Sequence, residues 1–268
     1  MTEPTTSATD RLRALHASGS FVIPNPFDRG SARLLAAMGF EALATTSAGL
    51  AAALGRQDMT VTREQLLVHV EDLASATSLP LHVDSERCFA DEPDGVAETV
   101  RLLAGAGAAG CSIEDWNPAS GAIDPIEVSV SRVAAAAESA ADHGLVLTAR
   151  CEHHLHGIDD LDATVERLAA YRDAGAEVVY APGLARPDDI RRVIDEVGGA
   201  VNVLLLPGGP TVDELAQLGV RRVSLGSHLS NAAYGAFVAQ ATAVRNRGAL
   251  DPTFGRVPSE LATEAFGA

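Results

Sequence analysis

Three apolar runs of this chain stop on groups that do chemistry. Leu79–Glu86 (LPLHVDSE) and Cys111–Asp115 (CSIED) end in carboxylates, and Leu145–Arg150 (LVLTAR) ends in a guanidinium. A run of this kind delivers its last residues to the rim of a sheet, where carboxylates suit a hard divalent cation and arginine suits an anionic substrate. Asp84, Glu86 and Glu114, together with Asp58 from a long upstream connection, are the candidate metal-site acids, and Arg150 is the candidate cation for substrate. Metal-assisted catalysis on a small anion is the chemistry this set predicts.

Composition narrows the choice. The 20 Lys+Arg residues are all arginine, so Schiff-base, pyridoxal-phosphate and Walker A chemistry, each of which needs lysine, is excluded. Charge stabilisation at an enolate then falls to a metal or to arginine. The net charge of −16 argues against nucleic acid or an anionic membrane as partner and for a small molecule or a second copy of the chain. Three scattered cysteines, Cys88, Cys111 and Cys151, form neither a disulfide framework nor a Cys-rich zinc site, and their acidic surroundings make them packing residues. The start, Met1 to Asp10, lacks the apolar core of a signal peptide, and no stretch is apolar enough to span a bilayer. The expectation is a cytoplasmic protein with a flexible tail over residues 1–15, a barrel over 16–247 and a C-terminal extension, an arm or a frayed end, over 248–268.

The elements that must position the acids follow from periodicity. Apolar β-type runs recur at Phe21–Pro24, Ala42–Thr46, Leu79–Asp84, Gly110–Glu114, Leu145–Arg150, Glu177–Ala181, Val201–Leu206 and Arg222–Gly226. Ala-rich segments of helical period separate them, among them Ser31–Met38, Arg63–Ala76, Ser129–His143, Pro187–Val197 and Val212–Leu218. With Asn231–Arg245 as the last helix, eight strands alternate with eight helices, which predicts an α/β protein with a (β/α)8 TIM-type barrel. Catalytic groups of such barrels sit at the C-terminal strand ends, where Asp84, Glu86, Glu114, Asp115 and Arg150 all fall. The long connection Ser47–Thr62 is too apolar for disorder and is expected to pack across the mouth. The segment Trp116–Asp124, rich in Gly, Pro and Ser, is expected to act as a lid.

Other polar residues carry weaker signals. Asn202 and His228 are candidates for contact with substrate, each with an equally ordinary structural role. The cluster His153, His154 and His156 lacks the spacing of a zinc motif and is expected to be a solvated loop. Gly208 and Gly209 raise the idea of a phosphate site, but a turn into the helix at Thr211 is the simpler reading.

The motifs, taken in order from Phe21 to Arg245, resemble the isocitrate lyase and phosphoenolpyruvate mutase superfamily, in its mutase-like branch. The resemblance rests on Asp28 with Ser31, Ala32 and Arg33; on Ser47 and Gly49 followed by Leu54, Gly55 and Asp58; on Leu79–Glu86; on Ile113–Asp115; and on Ala149–Glu152. It implies a barrel that binds Mg²⁺, with Mn²⁺ as a substitute. Asp84 would be the direct ligand, and Asp58, Glu86 and Glu114 would hold the ion's waters. It further implies a 2-oxo acid substrate held by Ser47, Ala48, Gly49 and Arg150, with Arg150, Asp58 and Glu114 catalytic. A homo-oligomer, dimer or tetramer, with the last helix exchanged between subunits is also implied.

The chain departs from the family pattern in three places. The Cys-containing loop of the family's lyases is replaced by Trp116–Asp124, which speaks against cleavage of isocitrate or methylisocitrate by a loop thiol. Cys88 and Ala90 stand where glycines are usual, and the sixth strand ends in Tyr180-Ala-Pro without the usual polar residue. The expected function is a Mg²⁺-dependent lyase acting on a small 2-oxo acid through an enolate, by decarboxylation of an oxaloacetate-like acid. The alternatives are carbon–phosphorus chemistry and a catalytically silent barrel with a scaffold role.

Overall fold

The short apolar runs pair side by side in parallel and curl into a barrel. The structure is a computed structural model describing residues 6–253 and 255–267. Its strands are β1 (Phe21–Ile23), β2 (Leu43–Ala44), β3 (Leu81–Val83), β4 (Gly110–Glu114), the hairpin β5 (Trp116–Asn117) and β6 (Ala122–Ile123), then β7 (Val146–Arg150), β8 (Val178–Tyr180), β9 (Ala200–Leu204) and β10 (Arg222–Ser224). The 8-stranded sheet runs β1-β10-β9-β8-β7-β4-β3-β2, every neighbour parallel. Its two edges meet through the Ala44 N–H, which donates to Pro24 O at 3.0 Å, and Asn25 Nδ2, which donates to Thr45 O at 2.8 Å. These bonds complete the (β/α)8 barrel.

The helices are α1 (Ala8–Ala17), α2 (Arg29–Ala37), α3 (Ser47–Ala53), α4 (Arg63–Ala76), α5 (Pro93–Gly105), α6 (Ile126–His143), α7 (Leu161–Asp173), α8 (Pro187–Val197), α9 (Val212–Leu218), α10 (His228–Arg247) and α11 (Ser259–Phe266). Local chemistry fixes many of their ends. Asp28, Thr62 and Thr211 each accept from the N–H three residues on, and Ser31, Gln65 and Glu214 return the bond. Gly175 closes the turn after α7 at φ +109°, and an added Cβ there would meet Ala137 Cβ at 2.7 Å. In α8, Ile190, Val193 and Val197 recur on one face and are all buried.

Two boundaries differ from expectation. Of the predicted loose tail, residues 8–15 belong to α1, and residues 1–5 lie outside the described residues. Leu12 is fully buried among Phe21, Ile23, Ala44, Val146 and Val178, so α1 plugs the bottom of the barrel. Arg13 fastens it to Glu177 at 2.9 Å. At the other end, α11 packs on α2 and buries Ala265. By contrast α10 leaves Phe237 and Val238 exposed.

Candidate active site

A cavity of about 200 Å³ opens at the C-terminal ends of the strands. Its rim carries Thr45, Ser47 and Ala48 from the β2–α3 junction, Asp58, Asp84 after β3, Arg150 at the end of β7 and Tyr180 at the end of β8. Its floor is polar and made of His82, Thr148, Asn202, Arg222 and Ser224, which the strands point inward. The mouth is therefore acidic with one guanidinium, and the floor below it is neutral except for Arg222.

Arg150 organises the rim. Its Nη1 donates to Asp84 Oδ1 at 2.7 Å, its Nη2 pairs with Glu114 Oε2 at 3.2 Å, and its Nε donates to Glu152 Oε1 at 2.9 Å. The Tyr180 ring centroid lies 5.5 Å from the guanidinium carbon. Burial opposes the charge on Arg150, yet Glu152, Glu114 and Asp84 together hold its pKa well above the usual value. Asp84 Oδ2 accepts from both the N–H and the hydroxyl of Ser47, at 3.0 Å each. Asp84, Ser47 and Arg150 are thus one connected unit at the mouth.

The acids around Asp84 carry more negative charge than Arg150 neutralises. Burial, with Asp84 and Asp58 adding to it, pushes Glu86 up to about 8, and its Oε1 is buried without a partner. Burial likewise raises Glu114 well above the carboxylate range and raises Glu152, with Arg150 opposing in both cases. Asp58 is raised by burial and by Asp84. A divalent cation relieves such crowding, and the donors are all oxygen, as Mg²⁺ prefers. Among the described residues no group of three His, Cys, Asp or Glu side chains is placed to hold a metal ion. The carboxylate oxygens that Asp84 and Asp58 bring to the cavity are donors of the kind Mg²⁺ takes while keeping much of its water.

The structure brings some predicted residues together and not others. Asp84, Asp58, Arg150, Ser47, Ala48 and Asn202 line the cavity. Glu86 and Glu114 are buried behind it, joined by the Glu114 N–H donating to Glu86 O at 3.0 Å. Gly49 is buried inside α3 and its N–H is spent on Thr46 Oγ1 at 3.3 Å, so it is not presented to substrate. His228 is exposed at the start of α10 and does not line the cavity, although Gly226 and Ser227 just before it do. Asp115 is structural: Tyr171 donates to it at 2.7 Å, and it also accepts from the Glu152 N–H at 2.8 Å.

The histidine cluster is not a solvated loop. His153–His156 is a 3-10 turn in which His153 is buried against Thr164 and His156 stacks on Trp116 at 3.5 Å between ring centroids. The turn sends Leu155 into the cavity wall. Trp116 itself does not line the cavity, and the expected lid is a hairpin tied at both ends. Glu86, Cys88 and Phe89, in the loop after β3, take positive φ of 49°, 61° and 53°, where glycines would be unstrained. Thr148, His82 and Arg222 had no signal in the sequence beyond being polar residues within apolar strands.

Asp124 anchors the hairpin. It meets Arg87 at 2.8 Å, Arg132 at 3.2 Å and Asn117 Nδ2 at 3.0 Å, and the Arg132 side chain is only 2% exposed. Asp124→Ala would strand a buried guanidinium and is expected to cost about 3–5 kcal/mol, read as a lower urea midpoint. A loss below 1 kcal/mol would place the anchor elsewhere.

A (β/α)8 barrel with acids and an arginine gathered at its C-terminal mouth is the architecture of a barrel enzyme. Residues 12–245 match the family described as phosphoenolpyruvate phosphomutase, and the chain belongs to that family, within the isocitrate lyase and phosphoenolpyruvate mutase superfamily. A solved structure from Burkholderia cenocepacia J2315, described only provisionally as a lyase/mutase, is 49% identical with a TM-score of 0.92, covering 97% of this chain and 96% of that one. Oxaloacetate decarboxylase of Paraburkholderia xenovorans (strain LB400) is 33% identical over 82% of this chain and 75% of its own length. Phosphonopyruvate hydrolase in complex with oxalate and Mg²⁺ is 26% identical with a TM-score of 0.83, covering 97% of this chain and 95% of that one. Among the described residues no helix is long and apolar enough to cross a membrane.

Proposed function

We propose that this chain is a Mg²⁺-dependent carbon–carbon lyase acting on a small 2-oxo acid through an enolate, with decarboxylation of an oxaloacetate-like acid as its reaction. The observation that carries this reading is Arg150 at the cavity wall beside Asp84, with no thiol among the lining residues. Asp84 would hold the ion directly, with Asp58, Glu86 and Glu114 in the surrounding shell, and the bound ion would supply Lewis acidity to the substrate. The Ala48 N–H would orient the substrate carboxylate, and Ser47, whose two donors go to Asp84 Oδ2, would act by holding that acid in place. Arg150 would donate to the charge that develops as the carbon–carbon bond breaks. The departing carboxylate leaves as CO₂, the electron pair enters the enolate, and a solvent proton completes the product. Burial pushes the Cys88 thiol up to about 11 and raises Cys151, which supports solvent rather than a thiol as the acid. Assembly through α10, whose Phe237 stays exposed, belongs to the same proposal.

The test begins with thermal unfolding in Mg²⁺ and oxalate, an enolate mimic. Ligand at one hundred times its Kd should stabilise the protein by about 2.7 kcal/mol. A screen of 2-oxo acids then reads pyruvate and phosphate separately. Pyruvate without phosphate supports carbon–carbon cleavage, and phosphate from phosphonopyruvate moves the assignment to carbon–phosphorus chemistry. No shift at millimolar Mg²⁺ and oxalate moves it to a silent barrel.

Glu86 gives the metal site a pH signature. Its carboxyl, at about 8 when folded against an ordinary 4.5, keeps a proton that the unfolded chain has lost. Metal-free stability should therefore fall as pH rises through that window. Mg²⁺ favours the ionised forms of the acids around it, so binding at pH 7 should release protons, close to one of them from Glu86, seen calorimetrically as a heat that varies with buffer ionisation enthalpy. Glu86→Gln should release about one proton fewer on binding and be more stable than the parent in EDTA at pH 8. An unchanged proton count would remove Glu86 from the metal site.

A further inference from the structure

The floor of the cavity holds a charge that the proposed chemistry leaves unused. Arg222, on β10, is 3% exposed, and the side chains it bonds are uncharged. Its Nε donates to Asn202 Oδ1 at 2.8 Å, its Nη2 donates to Thr148 Oγ1 at 3.0 Å, and its Nη1 is buried with no partner. Thr148 Oγ1 also meets His82 Nε2 at 2.9 Å, and burial, with Arg222 adding to it, keeps that imidazole neutral. The other inward or buried arginines, Arg87, Arg132, Arg150 and Arg167, each face a carboxylate. Arg222 has none among the described residues.

A buried cation without a counter-charge costs several kcal/mol, a cost that is removed when the counter-charge arrives with a ligand. The geometry of the cavity allows that. One continuous space is lined by Asp84 and Ser47 at its mouth and by Arg222, Asn202 and Thr148 at its floor. Thr148 lies two residues below Arg150 on β7, which, with strands tilted from the barrel axis, sets the floor roughly 5 Å deeper than the rim. That depth suits a short diacid held at both ends.

We propose that Arg222, oriented by Asn202 and Thr148, forms a second anion subsite that takes the far carboxylate of a 2-oxo diacid whose near end lies at the Asp84 and Arg150 rim. This rests on the functional reading above and adds to it the residue that selects a diacid over a monoacid. Asn202 then acts by positioning the guanidinium, since both ends of its amide are engaged, with Arg222 and with Ser224.

Two non-reacting probes test the subsite by calorimetry in Mg²⁺. 3,3-Difluorooxaloacetate has two carboxylates, and 2-oxobutyrate has the same carbon chain with one. Wild-type protein should prefer the diacid by about tenfold to a hundredfold, the size of a hydrogen bond to a charged group. Arg222→Gln should abolish that preference while leaving 2-oxobutyrate within about twofold of its wild-type affinity. A preference that survives the substitution overturns the proposal. Should Arg222→Gln not fold, Arg222→Lys keeps the charge without the fork, and the preference should still drop severalfold; an unchanged preference has the same adverse meaning.

Formate distinguishes a substrate carboxylate from an independent anion. It should compete with the diacid and not with 2-oxobutyrate, whereas formate binding that leaves the diacid untouched would assign the floor to a separate anion and overturn the diacid assignment. If neither 2-oxo acid binds wild-type protein, the functional reading fails on its own. The subsite is then judged in EDTA, where formate should raise the Tm of the wild type and not of Arg222→Gln, and an equal response overturns it. Where turnover of oxaloacetate is measurable, the contact belongs to the ground state, because departing CO₂ is neutral. Arg222→Gln should then raise KM without lowering kcat, and a lower kcat at unchanged KM contradicts the assignment.

Discussion

Replacing Asp84 with alanine is expected to lower turnover by about three orders of magnitude or more, because several kcal/mol of charge stabilisation leave with the metal. The fold should survive. The Asp84 side chain is 20% exposed at the cavity mouth, and Arg150 keeps Glu114 and Glu152 as partners when it is gone. The thermal response to Mg²⁺ and oxalate should vanish in the same variant, which separates a lost ligand from a damaged barrel. Wild-type rates at saturating substrate would end the assignment of Asp84 as metal ligand.

Arg150→Lys should be almost as damaging, with kcat down by about 10²–10³, the cost of losing one preorganised donor to a developing anion. An ammonium is a point charge and cannot span Asp84, Glu114 and Glu152 as the guanidinium does. Removing the charge altogether, in Arg150→Met, should destabilise the fold by about 3–5 kcal/mol, because Glu114 and Glu152 are then buried without a counter-ion. The two variants separate the roles. Near-normal kinetics in Arg150→Lys, with the stability loss confined to Arg150→Met, would make Arg150 a structural partner of the acids.

Much of the site's frame is local and therefore readable. The helices Arg63–Ala76, Pro187–Val197 and Val212–Leu218 have the bounds that periodicity predicts. The reason lies at their starts, where Thr62 with Gln65, Pro187 and Thr211 with Glu214 fix the first turn by neighbouring groups alone. The same locality failed at residues 8–15. A short polar segment becomes a helix there only because Leu12 finds the open bottom of a barrel.

What the sequence by itself determined is the alternation of strands and helices, and the delivery of Asp84, Glu114 and Arg150 to strand ends, since both follow from spacing along the chain. Which groups face the cavity was decided by the tertiary structure. Strands of a closed parallel barrel are covered on both faces, so apolar residues point both ways and alternation gives no cue to inside and outside. Register between β7, β9 and β10 joins Thr148, Asn202 and Arg222 into a polar floor, although they lie far apart in the chain. His228 stays exposed at the start of α10 while Ser227 beside it lines the cavity, and the loop after β3, with Glu86 at φ 49°, buries Glu86 outside the cavity lining. Each of these outcomes depends on barrel closure, a long-range condition that no local pattern of residues encodes.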